Sequence, residues 1–275
     1  MRVRAISLGQ ISTLLIVLLL GLPILSEAGV FWTENFENHL TPNWDTSACG
    51  GSPADGCNAA ISTDLVHGGT YSLKSTFLAS CEVAGCGSYY DRAIPASNEV
   101  WIRFYYYTTN FTYYPVTVTK LFILVPNANG NQFYFSNDFG DNRMSVAVGN
   151  NNNFQVQTCP NGKVDVGCSY PPNMASVPFS DNQWFCVEGH TINNTVGQSN
   201  GTVELFVNGV QTVGVYNQQT QNVPAQITLV RHYVQNGLGN RYIDDLAVGD
   251  TRIGCSGSPS SDTIPPAAPV GLSIR

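Results

Sequence analysis

The feature that most constrains this chain is an alternation of apolar and polar residues with a period of two. Side chains alternate between the two faces of a β-strand, so this pattern is typical of half-buried strands. We find no convincing amphipathic helix after residue 28. The strands predicted from the alternation are 101–107, 120–125, 132–136, 143–148, 154–158, 184–192, 202–207, 211–216, 226–234 and 242–248.

Clusters of Gly, Asn and Pro separate these segments, as at 127–131 and 149–153. Asn208-Gly209 lies between two alternating segments and predicts a two-residue hairpin. Many short strands with frequent turn signals predict an all-β sandwich or barrel.

The N-terminus has the features of a secretory signal peptide. Arg2 and Arg4 precede a short apolar segment, 11–25, and Ser26-Glu27-Ala28 supplies small residues for cleavage. A membrane anchor is the alternative, but the apolar segment is short and interrupted. We therefore expect residues 1–28 to be removed and the mature protein to be secreted, periplasmic or held at the cell surface, without a membrane span.

Eight cysteines follow the signal segment. An even number in an exported chain indicates disulfides. Spacing suggests Cys49–Cys57, Cys81–Cys86 and Cys159–Cys168, which leaves Cys186 with Cys255, although the sequence alone does not fix the pairing. The paired C-x-x-C spacing typical of zinc sites is missing.

Charge narrows the range of partners. The 275 residues contain 12 Lys+Arg and 19 Asp+Glu, a formal net charge of -7. A nucleic-acid-binding protein would show a basic surface, so we expect no nucleic-acid partner. Composition changes after Cys255, where 256–269 is a Ser/Pro-rich linker and 270–275 resembles the start of a fibronectin-type-III strand.

Four segments, in order, resemble those of concanavalin A-like jelly rolls. They are FWTENFE at 31–37, VHGGTYSLK at 66–74, the hairpin region 191–210 and RYIDDLAVGDTRIGC at 241–255. The resemblance implies a single jelly-roll sandwich of two antiparallel sheets over residues 29–255.

Within that superfamily the chain looks most like the polysaccharide lyases of the alginate and glucuronan lyase type. Thr119-Lys120-Leu121 and Trp184-Phe-Cys-Val-Glu188, followed by Asn193, resemble two of their strands. The glycines before the lysine and the Pro-Gly after it are missing here. The resemblance implies β-elimination in a uronate-containing glycan.

Such a reaction needs a base, an acid and a group that neutralises a carboxylate. Lys120, Glu188, His190 and Arg231 are the catalytic candidates, expected to line one groove. Each also has a structural interpretation: a solvent-facing lysine, an ion-paired glutamate, a hydrogen-bonded histidine and a salt-bridged arginine. We expect His232 to face away from Arg231.

Aromatic rings can stack on the apolar faces of sugars. The substrate-binding candidates are Arg103, Tyr105, Tyr107, Tyr134 and Tyr233. A retaining glycoside hydrolase would need two suitably spaced carboxylates on one strand, and the sequence has no such motif.

The resemblance also implies a structural calcium site that ties the first strand to the last through Glu37 and Asp245, or its neighbour Asp244. Hydrogen bonding without metal is the alternative. No organic cofactor is expected.

The leading functional prediction is a monomeric protein that acts on an extracellular polysaccharide, with lyase chemistry first. A non-catalytic carbohydrate-binding module or lectin, and a structural or adhesive surface protein, are the alternatives.

Overall fold

The computed structural model describes residues 29–38, 44, 46–50, 59–77, 87–112, 119–138, 143–150, 153–157, 180–235 and 238–255. Their regular elements are all strands: β1 (Val30–Glu34), β2 (Thr46–Gly50), β3 (Ala59–Ser62), β4 (Ser72–Phe77), β5 (Gly87–Ser97), β6 (Glu99–Thr112), β7 (Thr119–Pro126), β8 (Gln132–Asp138), β9 (Arg143–Asn150), β10 (Asn153–Gln157), β11 (Phe185–Ile192), β12 (Gly201–Val207), β13 (Val210–Gln218), β14 (Ile227–Gln235) and β15 (Leu238–Gly249).

The strands form two antiparallel sheets. Sheet A has the order β13-β12-β11-β6-β15-β4-β3, and β1 also pairs with β15. Sheet B has the order β10-β9-β8-β7-β14-β5-β2. The all-β class and the two-sheet jelly-roll sandwich predicted from the sequence are therefore confirmed.

Every strand predicted from alternation occurs, with ends that coincide or differ by a few residues. The hairpin prediction is also confirmed, because Val207 pairs with Val210 across Asn208 and Gly209, which have φ angles of 50° and 79°. The segment 66–74 is only partly a strand: β4 begins at Ser72, and the residues before it form a loop.

The space between the sheets is filled by one large apolar cluster. Sheet A contributes residues such as Ile102, Phe104 and Val187, and sheet B contributes residues such as Phe122 and Phe135. On each strand, the residues that alternate with these core residues therefore point outward. This gives the molecule two outer faces, one on each sheet, that the core holds apart.

Several expectations concern residues outside the described ranges. The signal segment 1–28, the linker 256–275 and Cys57, Cys81, Cys86, Cys159 and Cys168 lie there, and the side chain of Cys49 is not described. Within the described residues, no helix has the length and apolar character needed to cross a membrane.

Gly189 shows how closely the sheets pack. It lies on β11 of sheet A, and a β-carbon added there would collide with the ring of Phe135 on β8 of sheet B. A densely packed interior accommodates extra atoms only by strain.

Gly189→Ala should therefore lower the free energy of unfolding by about 1–3 kcal/mol, measured by urea denaturation. Combining this change with Phe135→Leu tests whether the two residues are in contact. Phe135→Leu should lower the free energy of unfolding less in the Gly189→Ala protein than in the wild type, because leucine leaves room for the added methyl group. Equal costs in both backgrounds would contradict this packing.

Candidate functional site

The outer face of sheet B carries the first group of candidate residues. Lys120 and Ile123 come from β7, Tyr134 from β8, and Arg231 and Tyr233 from β14. Ile123 and Tyr134 form a small cluster with Ala147, Val125 and Tyr233 that is separate from the main core. The structure therefore brings four predicted residues together: Lys120, Arg231, Tyr134 and Tyr233.

Lys120 is half-buried between two aromatic rings. Its Nζ lies 5.1 Å from the centroid of the Tyr134 ring and 5.6 Å from that of Tyr233. No described side chain forms an ion pair or hydrogen bond with it. Burial therefore lowers the pKa of the Lys120 ammonium below its usual value of 10.5.

Tyr134 is almost fully buried, and its hydroxyl donates a hydrogen bond of 2.8 Å to Oε1 of Gln132. Burial raises the pKa of this hydroxyl, and the nearby charge of Arg231 only partly opposes that shift. Tyr134 therefore keeps its proton at neutral pH. The neighbouring Lys120, whose pKa is lowered, loses its proton more readily than an exposed lysine.

Arg231 is held in place by Asp91 on the neighbouring strand β5. Its Nε and one terminal nitrogen donate to the two carboxylate oxygens at 2.7 and 2.8 Å, and the guanidinium carbon lies 4.0 Å from the centroid of the Tyr89 ring. The hydrogen bond to Asp91 raises the pKa of Arg231 further. The salt-bridge interpretation of Arg231 is thus confirmed, with Asp91 as the partner.

His232, between Arg231 and Tyr233, points the other way, as expected. It is fully buried, and its Nδ1 lies 3.0 Å from the carbonyl oxygen of Leu121. Burial holds the pKa of His232 well below its usual value. The neutral ring stacks with Trp44 and Tyr90, so it belongs to the interior.

The second group of candidates lies on the outer face of sheet A. Glu188 and His190 of β11 pair with Arg103 and Trp101 of β6, and Cys186 pairs with Tyr105. The expectation that Glu188 and His190 share a groove with Lys120 and Arg231 is therefore wrong. Alternation places residues on one face of a strand, but the two pairs belong to different sheets with the core between them.

His190 is enclosed by partners. Its ring nitrogens lie 2.6 Å from Glu204 and 3.0 Å from Glu99, and its ring stacks on Trp101 at a centroid distance of 3.9 Å. Only 5% of the residue is exposed. The hydrogen-bonded interpretation of His190 is the one that this geometry supports.

Glu188 anchors the segment that follows β15. Its carboxylate accepts hydrogen bonds from Arg252, at 2.9 Å, and from the backbone N–H of Gly254, at 2.8 Å. The same segment is tied down by the Cys186–Cys255 disulfide, which confirms that predicted pair. Glu188 is 1% exposed, so it serves the packing of this segment.

The remaining predicted binding residues also lie on sheet A. Arg103 is buried beneath Tyr105, whose hydroxyl donates to the carbonyl of Cys255 at 2.7 Å. Tyr107 is half-buried against Trp184. Of these three, only Tyr107 offers a partly open ring to a ligand.

Glu37 and Asp245, the expected calcium ligands, both contact the loop before β4. Glu37 accepts hydrogen bonds from the backbone N–H groups of Thr70 and Tyr71, both at 2.8 Å. Asp245 lies 2.7 Å from Nδ1 of His67. Each carboxylate thus faces hydrogen-bond donors, and no described group of three or more His, Cys, Asp or Glu residues is arranged to hold a metal ion. The calcium ion at Glu37 and Asp245 therefore stays a prediction.

Asp244 and His67 form a contact that the sequence analysis missed. Asp244 accepts hydrogen bonds from the backbone N–H groups of His67 and Gly68, at 2.8 and 3.2 Å. Burial, together with the charge of Asp245, raises the pKa of Asp244 to about 7. The segment VHGGTYSLK resembled a jelly-roll element, but it gave no partner for His67, because Asp244 is 177 residues away in the sequence.

Comparison with known proteins gives the fold. No family model matches the chain, and no curated protein matches it. Among solved structures it is similar to the cellulose induced protein Cip1, at 16% identity and a TM-score of 0.56, over 82% of this chain and 99% of that one.

Two lyases are similar to a comparable extent. The endo-β-1,4-glucuronan lyase from Trichoderma reesei is 16% identical with a TM-score of 0.51, over 81% of this chain and 96% of that one. A marine alginate lyase from Aplysia kurodai is 13% identical with a TM-score of 0.53, over 80% and 99%. At these identities the likeness shows a shared jelly-roll fold.

The pKa shift of Lys120 predicts a change in stability. Burial disfavours the charged form of Lys120 in the folded chain, so the folded state is destabilised at every pH below the pKa that Lys120 has there. Between that pKa and 10.5, the unfolded chain binds more protons than the folded chain, and the free energy of unfolding rises with pH. Lys120→Met should therefore stabilise the protein at pH 7, and its advantage over the wild type should shrink as pH rises through that window.

Urea denaturation across a pH series measures both effects. Lys74→Met is the matched control, because Lys74 has an ion-pair partner, Asp64, at 2.5 Å and should yield no gain. A Lys120→Met protein that is less stable than the wild type at pH 7 would contradict the cost assigned to the buried ammonium.

Proposed function

We propose that this chain binds a uronate-containing polysaccharide on the outer face of sheet B and cleaves it by β-elimination. The observation that carries the proposal is Lys120, which lies between Tyr134 and Tyr233 without an acidic partner among the described side chains. A half-buried ammonium without a counter-charge costs stability, and such a cost is typical of residues kept for a ligand.

The surroundings of Lys120 suit a sugar carboxylate and a sugar ring. Tyr233 is half-buried and provides an amphipathic ring on which a pyranose can stack, whereas the ring of Tyr134 is covered. A uronate beside them brings the negative charge that Lys120 lacks. The same site therefore supports both recognition of the glycan and chemistry next to its carboxylate.

The reaction assigns one task to each of three groups. Lys120, in its neutral form, takes the proton from the carbon that bears the carboxylate. The electron pair left behind forms a carbon–carbon double bond, and the bond between the neighbouring carbon and the glycosidic oxygen breaks. Tyr134, whose raised pKa keeps it protonated, gives its proton to the leaving oxygen.

Arg231 orients the substrate carboxylate in this scheme. Asp91 uses Nε and one terminal nitrogen of the guanidinium, so the other terminal nitrogen keeps its N–H groups for a ligand. The hydrogen bonds to Asp91 and the stacking on Tyr89 fix the plane of the guanidinium, which suits recognition of a planar carboxylate.

The fold comparisons support the proposal in a general way. Two of the similar structures are named as lyases of glucuronan and of alginate, both of which act on uronate polymers. The cellulose induced protein Cip1 has a similar fold and carries no such activity in its name. The choice between lyase and binding module therefore rests on the residues of sheet B.

The proposal includes export of a monomer, with cleavage of the signal peptide after Ala28. The Cys186–Cys255 disulfide supports an oxidising compartment, where such bonds form and persist. An extracellular polysaccharide is the partner that such a location offers.

The direct test follows ultraviolet absorbance from unsaturated sugar ends while the protein is incubated with alginate, glucuronan, pectate and glycosaminoglycans. Wild-type protein should produce a rising trace with at least one of them. Lys120→Met and Tyr134→Phe should each lower kcat/KM by about a hundredfold or more, because each removes a proton-transfer group.

His190→Gln is the matched control on sheet A. It should lower the melting temperature and leave kcat/KM within about twofold, because His190 contacts only structural partners. A flat trace for the wild type on all four substrates would overturn the lyase proposal. If Lys120-dependent binding remained, the protein would then be a carbohydrate-binding module.

A further inference from the structure

A cavity of about 550 Å³ lies at one end of the sandwich, away from Lys120. It is open to solvent on one side, and loops at the ends of β5, β7 and β11, together with the segment before β14, form its walls. Its lining includes Asn98, Asn127, Val196, Pro224, Ala225 and Gln226, and no charged residue lines it among the described residues.

Buried amides hold the wall of this cavity in shape. Nδ2 of Asn193 donates to the carbonyl of Ala225 at 2.8 Å, and its Oδ1 accepts from Nε2 of Gln221 at 3.1 Å. Asn194 exchanges hydrogen bonds with Thr220, both at 3.0 Å. All four of these polar side chains are at least nine-tenths buried, so the wall is organised before any ligand arrives.

The loop of Asn127 is also fixed in an uncommon conformation. Ala128 and Asn129 have φ angles of 53° and 57°, in the left-handed region. The backbone N–H of Gly130 donates to the carbonyl of Asn127 at 3.0 Å, and a β-carbon on Gly130 would collide with Ala225. Ala128 and Asn129 are the two central residues of the tight turn that joins β7 to β8, and such a turn requires left-handed angles at both positions. The turn therefore fixes the position of Asn127 at the edge of the cavity.

Amide groups with unused hydrogen-bonding capacity surround the mouth. Asn127 uses its Oδ1 to accept from the backbone of Gln226 at 3.0 Å, which leaves its Nδ2 to donate elsewhere. The side chains of Asn98 and Gln226 are exposed at the same opening. Val196 and Pro224 add an apolar patch beside these amides.

This combination matches the chemistry of a neutral sugar. Each amide offers both donors and an acceptor, and a sugar hydroxyl likewise donates and accepts. The apolar patch suits the C–H face of a pyranose, and the uncharged lining offers a carboxylate no counter-charge.

We propose that this cavity is a second glycan-binding site, specific for a neutral sugar unit. Asn127 and Lys120 lie at opposite ends of β7, about 20 Å apart along an extended strand, so one sugar unit cannot contact both. The proposal does not depend on β-elimination at sheet B.

Nuclear magnetic resonance of the full protein, labelled with ¹⁵N, tests it. The probes are cellotetraose, xylotetraose and mannotetraose, with tetraguluronate as the charged comparison. At least one neutral probe should shift the side-chain amide signals of Asn98, Asn127 and Gln226, and tetraguluronate should leave them unchanged.

Two exposed valines provide matched variants. Val196, 42% exposed, lines the cavity, and Val210, 56% exposed, lies on β13 away from it. Val196→Arg should weaken binding at least tenfold, whereas Val210→Arg and Lys120→Met should leave the affinity unchanged.

The proposal is overturned if none of the neutral probes shifts these signals at 10 mM, roughly the weakest binding a single sugar site shows. It is also overturned if the shifts persist in Val196→Arg, or if tetraguluronate binds there instead. Loss of binding in Lys120→Met alone would place the glycan on sheet B and would likewise refute a separate site.

Discussion

The apolar layer between the two sheets determines which side chains of this protein can act together. Each strand gives alternate side chains to that layer, so the side chains available for chemistry are the ones that point outward. The core separates the outward-pointing side chains into two faces, one on each sheet. A residue on β7 or β14 can cooperate only with neighbours on sheet B, and a residue on β6 or β11 only with neighbours on sheet A.

The two faces differ in how their polar groups are used. On sheet A, Glu188 and His190 have nearby hydrogen-bonding partners, and the segment after β15 lies across Glu188 and Tyr105. On sheet B, Arg231 has Asp91, but the described surroundings of Lys120 are aromatic. A charge that the protein itself neutralises supports its fold, whereas a charge left without a partner is available to a ligand.

Much of the fold could be predicted from the sequence because alternation is a local property. The strands from β6 onward follow from it, and Asn208-Gly209 identified the hairpin between β12 and β13. Strand β5 was missed because Asp91, Arg92 and Pro95 interrupt its pattern. Missing β5 also concealed Asp91 as the partner of Arg231, 140 residues away.

The candidate site was predicted only in part, for a related reason. Alternation states which residues of one strand share a face, and it correctly placed Arg231 and Tyr233 opposite His232. It does not state which sheet a strand joins, so Lys120 and His190 were assigned to one groove. Pairing between distant strands decides that question, and no local pattern in the chain records it.

The proposed function requires that glycan is bound on sheet B beside Lys120. A crystal structure of the protein soaked with a uronate tetrasaccharide would locate the sugar. We expect electron density on the outer face of sheet B, with a carboxylate next to Lys120 or Arg231 and a sugar ring against Tyr233. Density on the outer face of sheet A, around Tyr107 and Trp184, with none beside Lys120, would contradict it.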